Sequence, residues 1–350
     1  MTEPAPAPTA TPSPPHIFRW DLDKTYLQTE FDSLGDLIRT ALQRPADKAN
    51  VPGSAELLRA LRADSAGRAQ VFFISGSPKQ MRGVLSEKLA LDGIHYDGFI
   101  LKDNLNNLLR GRFRAVKEQI GYKLPALLDA RTRAPVEAEE TLFGDDAERD
   151  AFVYSLYADL LAERVPPAVL EEVLEVAGVY PDGRAAIYSA LDRMQPADPV
   201  RRIIIHLDRK SPPIRFDAYG PRVVPVYNYF QAALVLFGDG RLRAETVGRL
   251  GTVLNADYGF TLPMLLRSFQ DVLRRGGLKY RAAKALGAQA AGAGIAADVV
   301  QLFAREADER NVMVPAKREQ EVPDYPTLLR REQQRHAIEK ARRKSRRRWL

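Results

Sequence analysis

Along the chain, short continuous apolar runs alternate with segments whose apolar residues recur every three or four positions. Ile17-Phe18-Arg19-Trp20, Val71-Phe72-Phe73-Ile74, Gly98-Phe99-Ile100-Leu101, Glu140-Thr141-Leu142-Phe143 and Ile203-Ile204-Ile205-His206-Leu207 read as strands. Residues 33–43, 79–90 and about 122–129 read as helices, as does the stretch that Pro52-Gly53-Ser54 opens through Leu57, Leu58 and Leu61. Buried strands separated by helices predict an α/β fold, a parallel sheet with helices on both faces. Val223 to Leu236 supplies a last strand and helix, and Gly238-Asp239-Gly240 reads as a turn.

Beyond about 255 the pattern is helical only. Thr261 is placed to cap a helix with Leu262, Leu265, Leu266, Phe269, Val272 and Leu273 on one face, stopped at Gly276-Gly277. Residues 282–297, rich in Ala and Gly, fit either a closely packed helix or a flexible joint. The expected organisation is a Pro/Ala-rich lead over 1–15, a catalytic-type domain over 16–250, a helical region over 251–325 and a basic tail over 326–350.

Composition changes this picture in three places. The six prolines in residues 1–15 favour an extended, solvated lead without the basic start and apolar core of a secretory signal, so a cytoplasmic location is expected. The 350 residues include no cysteine, which excludes a disulfide scaffold and thiolate zinc sites. No apolar run is long enough to span a bilayer. The formal charge of +7 is unevenly placed: residues 330–350 hold ten Lys or Arg and two Glu, so the other 329 residues sum to −1. Such a tail can meet anionic membrane or nucleic acid, or simply stay in solvent. Its apolar stripe, Ala337, Ile338 and Ala341, is too narrow for a strong membrane helix.

In parallel sheets ligands gather at the carboxyl ends of the strands, and here those ends carry Asp21, Ser75 and Asp145. In Asp21-Leu22-Asp23-Lys24-Thr25, one carboxylate can attack phosphorus while the other protonates the leaving oxygen. The hydroxyl of Ser75 and the backbone N–H groups around Gly76 can hold a phosphoryl oxygen. Lys123, with Lys117 as a competing choice, can offset carboxylates around a dianionic phosphate. Asp145 and Asp150 offer hard oxygens to Mg2+, and Asp146 fits either a ligand or a helix cap. The four histidines are scattered without metal-ligand spacing and read as non-catalytic. Gly292-Ala293-Gly294 follows no strand and reads as helix packing, not as a dinucleotide site.

In this order, the four motifs resemble the haloacid dehalogenase (HAD) phosphohydrolase superfamily. WDLDKTYL, PGSAELLRAL, FFISGSP, DGFILKDN, YKLPALL and FGDDAERDAFVYSLYAD resemble one branch further, the actin-patch type of phosphatidate phosphatase and its bacterial relatives, over about residues 16–240. The resemblance implies a Mg2+-dependent phosphomonoesterase working through an aspartyl-phosphate. It implies Asp21 as nucleophile and metal ligand, and Asp23 as general acid and base with its main-chain carbonyl on the metal. Thr25 would support the loop, Ser75 would hold the phosphoryl group, and Lys123 would steady nucleophile and phosphate. Asp145 would bind Mg2+ directly, and Asp150 directly or through water. Lys24 stands where relatives often carry an acid, and Asp146 where they often carry a small hydroxyl residue.

The stretches Tyr26–Asn50 and Leu101–Lys123 leave room for a small helical insertion but no full cap. In such enzymes an open site suits a phosphate on a bulky carrier, so phosphatidate or another bulky phosphoester is expected, or a small metabolite if an oligomer partner or the helical region after 255 covers the site. The alternative is an interaction protein on the same scaffold, weakly active or inactive, brought to nucleic acid or membrane by its tail.

Overall fold

A computed structural model describes residues 14–28, 48–102, 119–292 and 321–347. The expected helix at 33–43, Lys117 and most of both insertion stretches lie outside the described residues.

Six strands form one sheet in the order β3-β2-β1-β4-β5-β6, every neighbouring pair parallel. They are β1 (His16–Asp21), β2 (Ala69–Pro78), β3 (Gly98–Lys102), β4 (Glu139–Asp145), β5 (Val200–His206) and β6 (Val223–Val226). Between them run α1 (Ser54–Asp64), α2 (Arg82–Leu91), α3 (Ile120–Thr132), α4 (Asp150–Leu161), α5 (Pro167–Ala177) and α6 (Pro181–Leu191). The order of the strands reverses between β1 and β4, which opens a crevice at their carboxyl ends.

Both faces of the sheet are buried, and the side chains divide by strand alternation. Phe73, Phe143 and Ile204 join one core cluster, while their neighbours Ile74, Leu142, Ile203 and Ile205 join the other. Trp20 fixes the centre of the first, stacked on Phe143 at 3.9 Å between ring centroids and on Tyr229 at 5.6 Å. Each such side chain removed from water contributes roughly 1.5–3 kcal/mol, so the apolar strands themselves hold the sheet between its helices. Gly53 opens α1 with φ of 82°, and a β-carbon there would press on Leu250, Leu254 and Tyr229 at 3.2–3.4 Å. That position needs glycine for both reasons.

The C-terminal part is helical as expected: α7 (Tyr229–Gly238), α8 (Ala244–Tyr258), α9 (Leu262–Arg274), α10 (Tyr280–Gly292) and α11 (Tyr325–Arg347). Leu250, Leu254, Leu265, Phe269, Val272 and Leu286 belong to the same core cluster as Trp20. The Ala/Gly-rich stretch is helical through Gly292. Thr261 stands at the N-cap of α9, but its side chain makes no capping bond. Pro263 has no N–H to offer, and the N–H of Met264 already donates to the Thr261 carbonyl at 2.9 Å.

The closing segment also enters the fold. Tyr325 and Leu329 are buried against the cluster formed by α4 and α5, and the Tyr325 hydroxyl donates to Asp159 Oδ2 at 2.5 Å. Among the described residues, no helix is long and apolar enough to cross a membrane.

Candidate active site

Asp21 is the last residue of β1, and the chain then turns sharply. The N–H groups of Tyr26 and Leu27 both donate to the Leu22 carbonyl, at 2.9 and 2.8 Å, and Lys24 takes φ of 60°. A left-handed lysine is strained, and its surroundings hold it there. Nδ1 of His206 donates to the Lys24 carbonyl at 2.9 Å, since a carbonyl can only accept, and the Tyr229 hydroxyl donates to the Thr25 carbonyl at 2.5 Å. Burial lowers the His206 pKa, against the bond to the Lys24 carbonyl, which favours the protonated ring. Leu22 is buried, while Asp23 is half-buried and turned toward the end of β2.

There the hydroxyls of Ser75 and Ser77 both donate to Asp23 Oδ2, at 3.0 and 2.8 Å. The N–H of Ser77 donates to Ser75 Oγ at 2.9 Å, and the Tyr122 hydroxyl donates to the Ser75 carbonyl at 2.8 Å. Burial raises the Asp23 pKa, against the two hydroxyls that favour its ionised form. Ser75 thus stands near the end of β2 with its hydroxyl engaged by Asp23.

Lys123 comes from the first turns of α3 and is fully buried. Its Nζ donates to Asp21 Oδ1 at 2.8 Å, Glu148 Oε2 at 2.8 Å and Asp150 Oδ1 at 2.5 Å. Burial disfavours its charge, but the carboxylates of Asp150, Asp21 and Glu148 overcome this and raise its pKa well above the ordinary value. The Thr25 hydroxyl makes a long bond of 3.3 Å to Asp21 Oδ2.

The loop after β4 completes the cluster. Asp145 Oδ1 accepts the N–H groups of Ala147 and Glu148, at 2.5 and 2.8 Å, and Asp150 Oδ2 accepts the N–H of Asp145 at 3.1 Å. Asp146 turns away: its two oxygens accept the N–H groups of Arg209 and Ser211, at 2.8 and 2.9 Å. It caps the loop after β5 and is absent from the acidic cluster. Burial, reinforced by neighbouring carboxylates, raises the pKa of Asp21 and Asp145 well above the carboxylate range and pushes Asp150 up to about 6.

Asp21, Asp145 and Asp150 each offer a carboxylate oxygen within 4.8 Å of the others. With Glu148, four carboxylates face one ammonium among the described residues, a deficit of positive charge that a divalent cation would fill. Asp145 Oδ2 is buried with no hydrogen-bond partner, as a ligand oxygen would be. The donor set, all hard oxygens, fits Mg2+.

The structure therefore brings together Asp21, Asp23, Thr25, Ser75, Lys123, Asp145 and Asp150, with Gly76 between the two serines. Sequence reasoning missed Glu148, Ser77 and Tyr122 as partners, and the supporting pair His206 and Tyr229. Glu148 and Ser77 lie inside motifs already singled out, so their position was a signal. Tyr229 reaches the first loop from 204 residues away, and nothing local marks it. A separate cavity of about 420 Å³ lies at the other end of α4, between Val165–Val169 and Pro323–Thr327. It is remote from this chemistry, and two of its charged lining residues, Arg330 and Glu172, already pair with each other at 2.6 Å.

A parallel α/β sheet that gathers carboxylates and an ammonium at its switch point is the framework of a catalytic domain for a charged substrate. Residues 20–170 match the family model described as phosphatidate phosphatase APP1, catalytic domain, and this segment is a phosphatidate-phosphatase-like catalytic domain. No curated protein and no solved structure matches the chain.

Proposed function

We propose that the protein is a Mg2+-dependent phosphomonoester hydrolase of the HAD type, acting through an aspartyl-phosphate on phosphatidate or another bulky phosphoester. The observation that carries this reading is the convergence of Asp21, Asp145 and Asp150 on one another, with Asp21 and Asp150 held by the buried ammonium of Lys123.

An Asp21 carboxylate oxygen attacks phosphorus, and the bond to the leaving oxygen breaks. Asp23, whose burial favours the protonated form, gives that oxygen its proton. Asp23, now ionised, takes a proton from the water that attacks the phosphorus of the acyl phosphate, so that phosphate leaves and Asp21 is restored. Ser75 and Ser77 orient Asp23 through the bonds they donate; with substrate bound, the Ser75 hydroxyl would turn from Asp23 to a phosphoryl oxygen beside the Gly76 amide, leaving Ser77 on Asp23. Lys123 positions Asp21 and favours its ionised form, against the burial that raises its pKa. A bound Mg2+, held by Asp21, Asp145, Asp150 and the Asp23 carbonyl, would neutralise the carboxylates and polarise the phosphoryl group.

Phosphate release from a generic water-soluble phosphomonoester and from phosphatidate, with Mg2+ and with chelator, tests this reading. Asp21→Asn is expected to abolish release. Equal activity in that variant would overturn the mechanism.

A further inference from the structure

The end of the sheet that carries the acidic cluster also carries basic and exposed apolar groups that the chemistry leaves unused. α11 runs alongside α4 toward that end. It begins at Tyr325, bonded to Asp159 in the last turn of α4, and reaches Glu332, 3.8 Å from Arg149 at the head of α4. Gln333 then donates to the Val176 carbonyl near the end of α5 at 3.0 Å. The helix continues beyond this contact through Arg347. Those residues, 334–347, extend about 21 Å at the helical rise per residue. They contain seven Arg or Lys and one Glu.

Three apolar side chains stand exposed at the same end of the sheet: Ile214 at 74%, Tyr227 at 43% and Met264 at 39%. Ile214 follows the loop that Asp146 holds, and Tyr227 directly follows β6. Met264 lies one turn before Ser268, whose hydroxyl accepts from Asn228 beside Tyr227 at 2.9 Å.

We propose that this end of the molecule docks on an anionic lipid bilayer. The distal half of α11 lies on the headgroups by charge, and Ile214, Tyr227 and Met264 enter shallowly. Charge complementarity selects an anionic partner, and the apolar contacts select a lipid surface: a nucleic-acid backbone would use the cations and leave these side chains in water. The sparse apolar residues of α11 suit a helix resting on headgroups over one inserted among acyl chains. The proposal deepens the phosphohydrolase reading, since docking would turn the acidic cluster toward a phosphate in the membrane, but the docking can be measured without turnover.

The full chain is sedimented with vesicles of phosphatidylcholine alone and of phosphatidylcholine mixed with phosphatidylserine. Binding is expected to the mixed vesicles only, with release in about 0.5 M NaCl. The triple variant Arg342→Glu/Arg343→Glu/Lys344→Glu and the double variant Ile214→Asp/Tyr227→Asp should each weaken vesicle binding by about tenfold or more. Phosphate release from the water-soluble ester should stay at the wild-type rate in both. Binding to neutral vesicles as strong as to anionic ones, unchanged binding in both variants, or binding to duplex DNA without vesicle binding would overturn the proposal. If the wild type releases no phosphate from any ester while the variants still lose vesicle binding, the docking surface stands and the chemical reading fails.

Discussion

Gly144 and Asp150 approach each other so closely that a β-carbon on Gly144 would lie 2.4 Å from the β-carbon of Asp150 and 2.5 Å from its Oδ2. No shift of a flexible side-chain end relieves the first contact, because it involves the root of the side chain. Gly144→Ala is therefore expected to displace Asp150 from Lys123 and from the N–H of Asp145. Overpacking of this kind costs about 1–3 kcal/mol, and displacing a residue proposed to hold Mg2+ should weaken the proposed Mg2+-dependent activity by about 10–100-fold. Thermal unfolding and activity against Mg2+ concentration together check this; an unaltered Mg2+ dependence would refute it.

Lys123 has a larger role in stability. Replacing it with Met leaves Asp21 and Asp150 buried without their cation, and breaking such a network costs about 3–5 kcal/mol. In chelator, Lys123→Met should melt well below the wild type. Mg2+ should raise the melting temperature of both, because a ligand that binds the native state stabilises it by mass action. Calorimetry with and without Mg2+ decides the matter, and a melting temperature indifferent to the ion in both proteins would contradict it.

Glu148 gives a milder expectation. Its carboxylate is partly exposed, at 25%, and shares Lys123 with two buried partners. Glu148→Gln should change stability by less than about 1 kcal/mol while reducing activity, since Lys123 then loses the charge of one of its three carboxylate partners. Denaturant titration and steady-state rates separate the two effects.

His16 ties stability to pH at the opposite end of β1. Burial, followed by the charges of Arg241 and Arg201, lowers its pKa to about 3; Glu139, 3.8 Å away, is already paired with both arginines. The unfolded chain takes up a proton near pH 6.5 and the native state does not until about 3, so protons favour unfolding between those values. This group lowers stability as pH falls through that window, by about 1.4 kcal/mol per pH unit at most. Urea titrations across that range should have a shallower pH slope in His16→Gln than in the wild type.

Tyr325 tests whether the start of α11 belongs to the fold. Tyr325→Ala should cost about 3–5 kcal/mol. Tyr325→Phe should cost about 1 kcal/mol, because Asp159 keeps Arg164 at 2.9 Å after losing the hydroxyl. Urea midpoints give both, and a neutral Tyr325→Ala would mean that the helix start contributes nothing.

Much of this was legible in local sequence. The strands were plain because both faces of the sheet are buried, which writes them as continuous apolar runs such as Val71–Ile74. Asp21, Ser75 and Asp145 were plain because each ends such a run. The start of α11 was not legible: Tyr325 and Leu329 are two apolar residues in a polar stretch, and only contact with α4 and α5 gives them weight. The same holds for Tyr229 and His206, whose bonds to the first loop join residues about two hundred positions apart. Asp146 was ambiguous because an acid in a strand-end loop can serve a metal or a neighbouring N–H equally well, and only the loop at 209–211 decides.

Asp21 and Asp145 end adjacent strands: Trp20 pairs with Phe143 across β1 and β4, so one carboxylate leaves the sheet one residue beyond that pair and the other two beyond. Their separation is thus gauged by the repeat between hydrogen-bonded strands, about 4.8 Å, rather than by any loop. The site inherits the stiffness of the backbone ladder beneath it. The loops above can lengthen, shorten or exchange one substrate for another while the distance between the two carboxylates stays the same.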